Sequence, residues 1–345
     1  MAIFATRSSS VIESSRRRPN LSSMHAFPAL AVFLGASFVL IANTRSVSQA
    51  DVHAAYMSPP MHVASKTQAM LRANVDLVLV NATVLDRLDR AVTGLAPRDF
   101  TVLDDKKPQI IRYLSNVDEP ISLVVVLDAS SSMADKFHQV RGALAELVKT
   151  SNPQDEFGLI VIQDKPSIVV DFDDVEKKLQ NVTETLEPNG MTALWDGISF
   201  GVDLLGNARY RRQAIVVISD GGDNHSRHTE SQLKSILEES NVGVYAIGLF
   251  SRFVTRPEER VGPLQLDEVT SVAGGRVFAV HDSEELLRAI TQVSHELRSQ
   301  YVLGYYPTNR ERDGKWRKLK IRLAGKAAQG KLKVYSKQGY YAPAE

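Results

Sequence analysis

The sequence predicts an α/β fold, a doubly wound and mostly parallel sheet. A β-sandwich-like domain built from the chain on either side is expected to flank it. Three observations carry this expectation. Uninterrupted apolar runs at residues 123–127, 157–162 and 214–218 have the texture of strands buried on both faces. Segments with apolar residues at helical spacing separate those runs, the alternation that gives a parallel sheet with helices on both sides. Before residue 121 and after residue 299 the pattern becomes period-two alternation, as in sheets with one wet face.

The elements follow in order. Arg16-Arg17-Arg18 precede an uncharged stretch over residues 26–44, and Ser48-Gln49-Ala50 puts small residues just before Asp51. Residues 1–50 therefore read as a signal peptide or, because the apolar stretch nearly spans a bilayer, as a membrane anchor. Either reading places the rest of the chain outside the cytoplasm, in the periplasm, on the cell surface or secreted. Residues 51–69, with Pro59-Pro60, have linker composition. Residues 70–120 are β-rich. A strand is expected over 75–84, a corner over 95–100, a strand over 100–103, a turn at Asp104-Asp105-Lys106-Lys107 and a return strand over 108–114.

In the central domain, residues 121–299, Phe137, Val140, Leu144, Leu147 and Val148 mark the first helix. Strands are expected at 157–162, 168–170, 214–218, 242–247 and 277–279. Helices are expected at 179–186, 193–205, 233–239, 264–272 and 283–298. Residues 300–345 return to strands, with Leu319, Ile321 and Leu323 alternating with Lys318, Lys320 and Arg322. Residues 310–337 hold 11 Lys or Arg against Glu311 and Asp313, which reads as a solvated sheet face with edge lysines. The flanking strands, 70–120 and 301–342, are expected to pack together.

Composition excludes whole classes. The 345 residues are 43% hydrophobic, enough for a sizeable core, so disorder throughout is excluded. No cysteine is present, which removes disulfides, zinc–thiolate sites, iron–sulfur clusters and a thiol nucleophile. The 41 basic and 40 acidic residues leave a net charge of +1, so a nucleic-acid partner is not expected.

In doubly wound sheets, ligands bind beyond the carboxyl ends of the strands. Asp128-x-Ser130-x-Ser132 directly follows the first buried run, Thr192 opens a helix from a loop, and Asp220 follows the 214–218 run. Two carboxylates and three hydroxyls are hard oxygen donors, suited to Mg²⁺, Mn²⁺ or Ca²⁺. Uncharged hydroxyls leave such an ion incompletely neutralised, which invites a carboxylate from a partner. Asp223 is a candidate for shaping the surroundings of the site or for bracing a loop.

Other patterns carry less. Gly197-Ile198-Ser199-Phe200-Gly201 spells the hydrolase nucleophile elbow, but it falls inside an expected helix rather than after a strand. Asp104 and Asp105 could be imagined as ligands, yet the pair reads as a turn. His225 and His228 read as a solvated loop, and no phosphate-binding glycine loop occurs.

The set Asp128-x-Ser130-x-Ser132, Thr192 and Asp220 resembles the metal-ion-dependent adhesion site of von Willebrand factor type A domains, with the strand order of residues 121–299. Met191 departs from that family, whose members commonly have Gly before the Thr. The whole chain resembles bacterial proteins related to that family, through Asp99-Phe100-Thr101-Val102 ahead of the domain and Tyr301-Val302-Leu303-Gly304-Tyr305 after it. The resemblance implies that Ser130 and Ser132 ligate the metal directly, and that Thr192, Asp128 and Asp220 do so directly or through water. It also implies an exported, metal-dependent protein-binding or adhesion module rather than an enzyme, its ligand a protein presenting Asp or Glu. The alternatives are a metal-assisted hydrolase with His225 as its base, and a scaffold without metal.

Overall fold

The computed structural model describes residues 77–172, 185–251 and 257–344. The expected signal or anchor, the linker and most of the expected helix at 179–186 lie outside these residues.

Strand β5 (Ser122–Asp128) is buried along its whole length, as its apolar run requires. It pairs in parallel with β6 (Glu156–Ile162) on one side and β8 (Gln213–Ser219) on the other. The sheet extends in parallel through β9 (Gly243–Leu249) and β10 (Val277–Val280). The edge strand β7 (Pro166–Val170) runs antiparallel to β6. Strand order is therefore β10-β9-β8-β5-β6-β7. The chain leaves β5 towards β6 and β7, then crosses over β5 to begin β8. This reversal is the topological switch point, and β5 and β8 border it.

Alternate residues of each strand feed two cores. Leu123, Val125 and Leu127 meet α1 (Phe137–Lys149) and α5 (Ser283–Arg298) on one face. Val124 and Val126 meet α2 (Leu194–Leu205), α3 (Glu230–Glu239) and α4 (Pro257–Val272) on the other. Gly197 and Ser199 lie within α2, as the misplaced nucleophile pattern implied. A side chain at Gly197 would come within 2.5 Å of Ile162 Cδ1, so this glycine serves close helix–sheet packing.

Strands from both flanks of this domain pair with one another. β1 (Val78–Leu85) lies between β11 (Tyr301–Tyr305) and β13 (Lys333–Ser336), and β4 (Ile111–Ser115) pairs with β11. In a second sheet, β12 (Trp316–Leu323) lies between β2 (Phe100–Asp104) and β14 (Gly339–Tyr341), and β3 (Lys107–Gln109) pairs with β2. The inward residues Val80, Ala82, Val84, Phe100, Val102, Tyr301, Leu303, Tyr305, Leu319 and Ile321 fill one core between the sheets. The described residues fall in one compact unit, which contains all three cores.

Some expectations need correction. The return strand over 108–114 breaks at Ile110, and its halves join different sheets. The turn before it is tighter than expected: Asp105 (φ 46°) and Lys106 (φ 68°) are its central residues, the conformation of a two-residue hairpin. Asp104 belongs to β2, is buried, and accepts hydrogen bonds from the Tyr305 and Tyr340 hydroxyls at 3.0 and 2.9 Å. Lys318, Lys320 and Arg322 stand on the outer face of β12, an interior strand, so they guard no edge; Lys333 does lie on an edge strand.

One buried ion pair stands out. Arg276 meets Glu296 of α5 with Nη2–Oε1 at 2.5 Å and Nε–Oε1 at 3.1 Å. The guanidinium also lies over the Phe278 ring, 4.2 Å from its centroid, and approaches Asp89 of the sandwich at 3.4 Å.

Candidate metal centre

The strands bring the first two candidates together. β5 and β8 are in register, Leu127 opposite Ile218, so Asp128 and Asp220 leave adjacent strand ends at the switch point. Asp128 is fully buried. Its Oδ1 accepts the Ser130 N–H at 2.9 Å, and its Oδ2 accepts the Ser219 hydroxyl at 2.6 Å. Ser219 in turn accepts the Gly221 N–H at 3.0 Å, which fixes the start of the loop that carries Asp220. Burial pushes the Asp128 carboxyl up to about 6; the Ser219 hydrogen bond opposes this and the nearby Asp220 charge adds to it.

The hydroxyls follow. The backbone turns after β5 into a 3₁₀ segment, Ser131–Lys136, with Ser130 at its start. That turn places Ser130 Oγ and Ser132 Oγ 3.0 Å apart, the first buried and the second half-buried. Ser131 N–H donates to the Gly190 carbonyl at 3.1 Å and Asn189 N–H to the Ala129 carbonyl at 2.9 Å, docking the Thr192 loop against the Ser130 turn.

Gly190 adopts φ +76°, and the Asp164 carboxylate stands 2.7 Å from where its Cβ would be. Only glycine fits there. Asp164 also accepts the Met191 N–H at 2.8 Å, and the Met191 side chain is 45% exposed. The residue at which this loop's backbone requires glycine is Gly190, one position before Met191.

Thr192 is 2% exposed. Its N–H donates to Asn224 Oδ1 at 2.9 Å, and its carbonyl accepts the Asn224 and His225 N–H groups, both at 3.1 Å. Asp223 Oδ1 accepts the Leu194 and Trp195 N–H groups at 2.8 and 3.3 Å. It supplies the cap that Ala193, at the N-cap of α2, cannot. Asp196 returns the favour to the same segment, accepting the Arg227 and His228 N–H groups at 3.0 and 2.9 Å. The variant Asp223→Ala is expected to lose about 1–2 kcal/mol of stability, as for a lost helix cap, measurable by urea denaturation.

Ser219, Asp164 and Asn224 were missed by sequence reasoning, as was Lys136, whose Nζ donates to Asp220 Oδ2 at 3.2 Å. A polar residue closing an apolar strand was the one signal available, for Ser219. Among the described residues no three His, Asp or Glu side chains gather to hold a metal, so any ion here must rely on hydroxyls too. His225 is exposed, and among the described residues its ring makes no hydrogen bond to the cluster.

Residues 122–293 match the family model of the von Willebrand factor type A domain. An uncharacterized protein of Borreliella burgdorferi is 28% identical over 196 residues, 50% of this chain and 57% of that one. The chain therefore spans little more than half the length of that relative. Among solved structures, an aerotolerance-related membrane protein of Bacteroides fragilis is 20% identical, with TM-score 0.42 over 51% of this chain and 98% of that one. A von Willebrand factor type A protein of Catenulispora acidiphila is 12% identical, with TM-score 0.45 over 79% and 75%. Proximal thread matrix protein 1 of the mussel byssus, solved with zinc in its adhesion-site motif, is 18% identical, with TM-score 0.45 over 57% and 50%. Through residues 122–293, with their strand order and the residues at their switch point, the chain belongs to the von Willebrand factor type A family.

Proposed function

We propose that this chain is an exported, divalent-metal-dependent protein-binding module. Asp128, Ser130, Ser132, Thr192 and Asp220 hold the ion, and an Asp or Glu of a partner protein completes its shell. The observation that carries this reading is Asp128 itself. A carboxylate buried with no cation partner among the described residues, both oxygens fixed, beside two hydroxyls 3.0 Å apart, is costly unless something charged uses it. The donors are all hard oxygens, which fits Mg²⁺ or Mn²⁺ and, with more ligands, Ca²⁺. The bound ion supplies an electrophilic point for the partner's carboxylate. The chain's own residues position it, hold the approach open and set the charge around it. In this reading the chain binds rather than catalyses, and the apolar segment at 26–44 directs it out of the cytoplasm or anchors it in a membrane. Among the described residues no helix is long and apolar enough to cross a membrane, and 26–44 lies outside them.

Titration calorimetry with Mg²⁺ and with Mn²⁺ tests the reading. One ion per chain is expected, reversed by EDTA; no heat of binding with either ion would overturn it. Affinity should also depend on pH with a definite sign. Proton and cation compete for the Asp128 carboxylate, which is pushed up to about 6. Affinity should be level above pH 7 and weaken about tenfold per unit well below pH 6, as for one displaced proton.

A further inference from the structure

The expectation that uncharged hydroxyls leave the ion short of negative charge needs correction: two carboxylates by themselves balance a divalent ion, so any demand for a third anion needs another source. Lys136 is that source. Its Nζ lies 3.2 Å from Asp220 Oδ2. Only 24% of its side chain is exposed and 5% of that of Asp220, so water screens the pair weakly. It sits at the end of the 3₁₀ segment that begins at Ser131, on the same short turn as both serines, which holds its stem beside the cluster. Counting Asp128, Asp220 and Lys136, the cluster carries one net negative charge, and a divalent ion brings it to one net positive charge.

We propose that Lys136 is a specificity-determining residue of this centre: its ammonium shares Asp220 with the metal, weakens the binding of metal alone, and makes metal and a carboxylate ligand bind cooperatively. This rests on the metal-binding reading above. An ion held beside the Lys136 ammonium would meet a like charge, and an incoming carboxylate would relieve both. A neutral or cationic ligand group gains nothing from the pair, so the pair selects for acid. Because coupling is reciprocal, the acid ligand must tighten the metal by the same factor that the metal tightens the acid.

The test uses the full chain, Mn²⁺ as the metal and acetate as the carboxylate probe, at constant ionic strength with chloride as the control anion. In the unaltered protein, acetate is expected to tighten Mn²⁺ binding severalfold. In Lys136→Met, Mn²⁺ alone should bind about tenfold more tightly and the acetate effect should largely vanish, while Lys136→Arg keeps both near the original values. Circular dichroism and melting temperature establish that each variant is folded, and Lys136→Gln serves if Met disturbs the turn. Unchanged or weaker Mn²⁺ binding in the neutral variants, or an acetate effect that survives in them, overturns the role of Lys136. Failure of the metal site itself looks different: the unaltered protein would then bind no Mn²⁺, and Asp128→Asn would change nothing.

Discussion

Replacing Asp128 by Asn is expected to abolish divalent-cation binding while raising the melting temperature of the metal-free protein. The two effects have one cause. Burial holds the Asp128 carboxyl up to about 6, above the ordinary 3.8, so at neutral pH the folded chain keeps a carboxylate it would rather protonate. The sign follows from linkage: the folded state binds the proton more tightly than the unfolded state, so this group lowers stability as pH rises from about 4 to above 6. A shift of about two units corresponds to at most about 3 kcal/mol. Asn removes that charge and keeps the shape. Its oxygen can still accept the Ser130 N–H, and its amide can donate to Ser219, whose hydroxyl can turn. A gain of a few degrees in EDTA is expected, at about 2–4 °C per kcal/mol. With Mg²⁺ at a thousand times the Kd the order should reverse, because only the unaltered protein gains from ligation, about 4.1 kcal/mol. Differential scanning fluorimetry with and without EDTA reads both. A variant that still melts higher with Mg²⁺ than without would refute the assignment of Asp128.

The largest loss of stability is expected at Glu296. Its side chain is 1% exposed, and the facing Arg276 is 12% exposed. Burial pushes the Glu296 carboxyl up while Arg276 pulls it down. Glu296→Ala would leave a guanidinium without its main partner between α5, β10 and the sandwich, which costs about 3–5 kcal/mol for a pair of this kind. The melting temperature should fall on the order of 10 °C, and urea unfolding should shift its midpoint with little change in slope. The joint replacement Arg276→Met with Glu296→Leu should recover much of the loss, because the charge left behind, not the missing contact, dominates the cost. If the double variant is as unstable as the single one, packing rather than charge governs this position.

The parallel sheet was legible because strands buried on both faces leave uninterrupted apolar runs, and β5 and β8 were visible on that basis alone. The placement of Asp128 and Asp220 at adjacent strand ends, and of Ser130, Ser132 and Thr192 in the loops beside them, was legible because they follow those runs or precede a helix. Asp223 was read as undecided between shaping the surroundings of the site and bracing a loop, and its two backbone partners at the start of α2 were not foreseen. What escaped notice depends on contacts between distant residues. Ser219 reaches Asp128 across the strand pair, and Lys136 reaches Asp220 from a turn; neither leaves a local period. β14, three residues long, is too short to show alternation, and the break at Ile110 becomes visible only when its halves join different sheets. The orientation of β7 was equally hidden, since parallel and antiparallel edge strands of five residues share the same pattern.

The interleaving of the two flanks bears on how the polypeptide matures. Val78 finds its neighbour at Tyr305 and Phe100 at Leu323, more than two hundred residues later in each case. While the polypeptide emerges, β1 must wait for β11 and β13, and β2, paired early only with the short β3, keeps its other edge open until β12 arrives. The α/β portion can condense first on its own two cores, which brings its ends, and hence the waiting strands, within reach of the arriving ones. Such long closures are slow and leave adhesive strand edges uncovered meanwhile. A protein assembled this way gains from a chaperone that shields its leading segment until synthesis is finished.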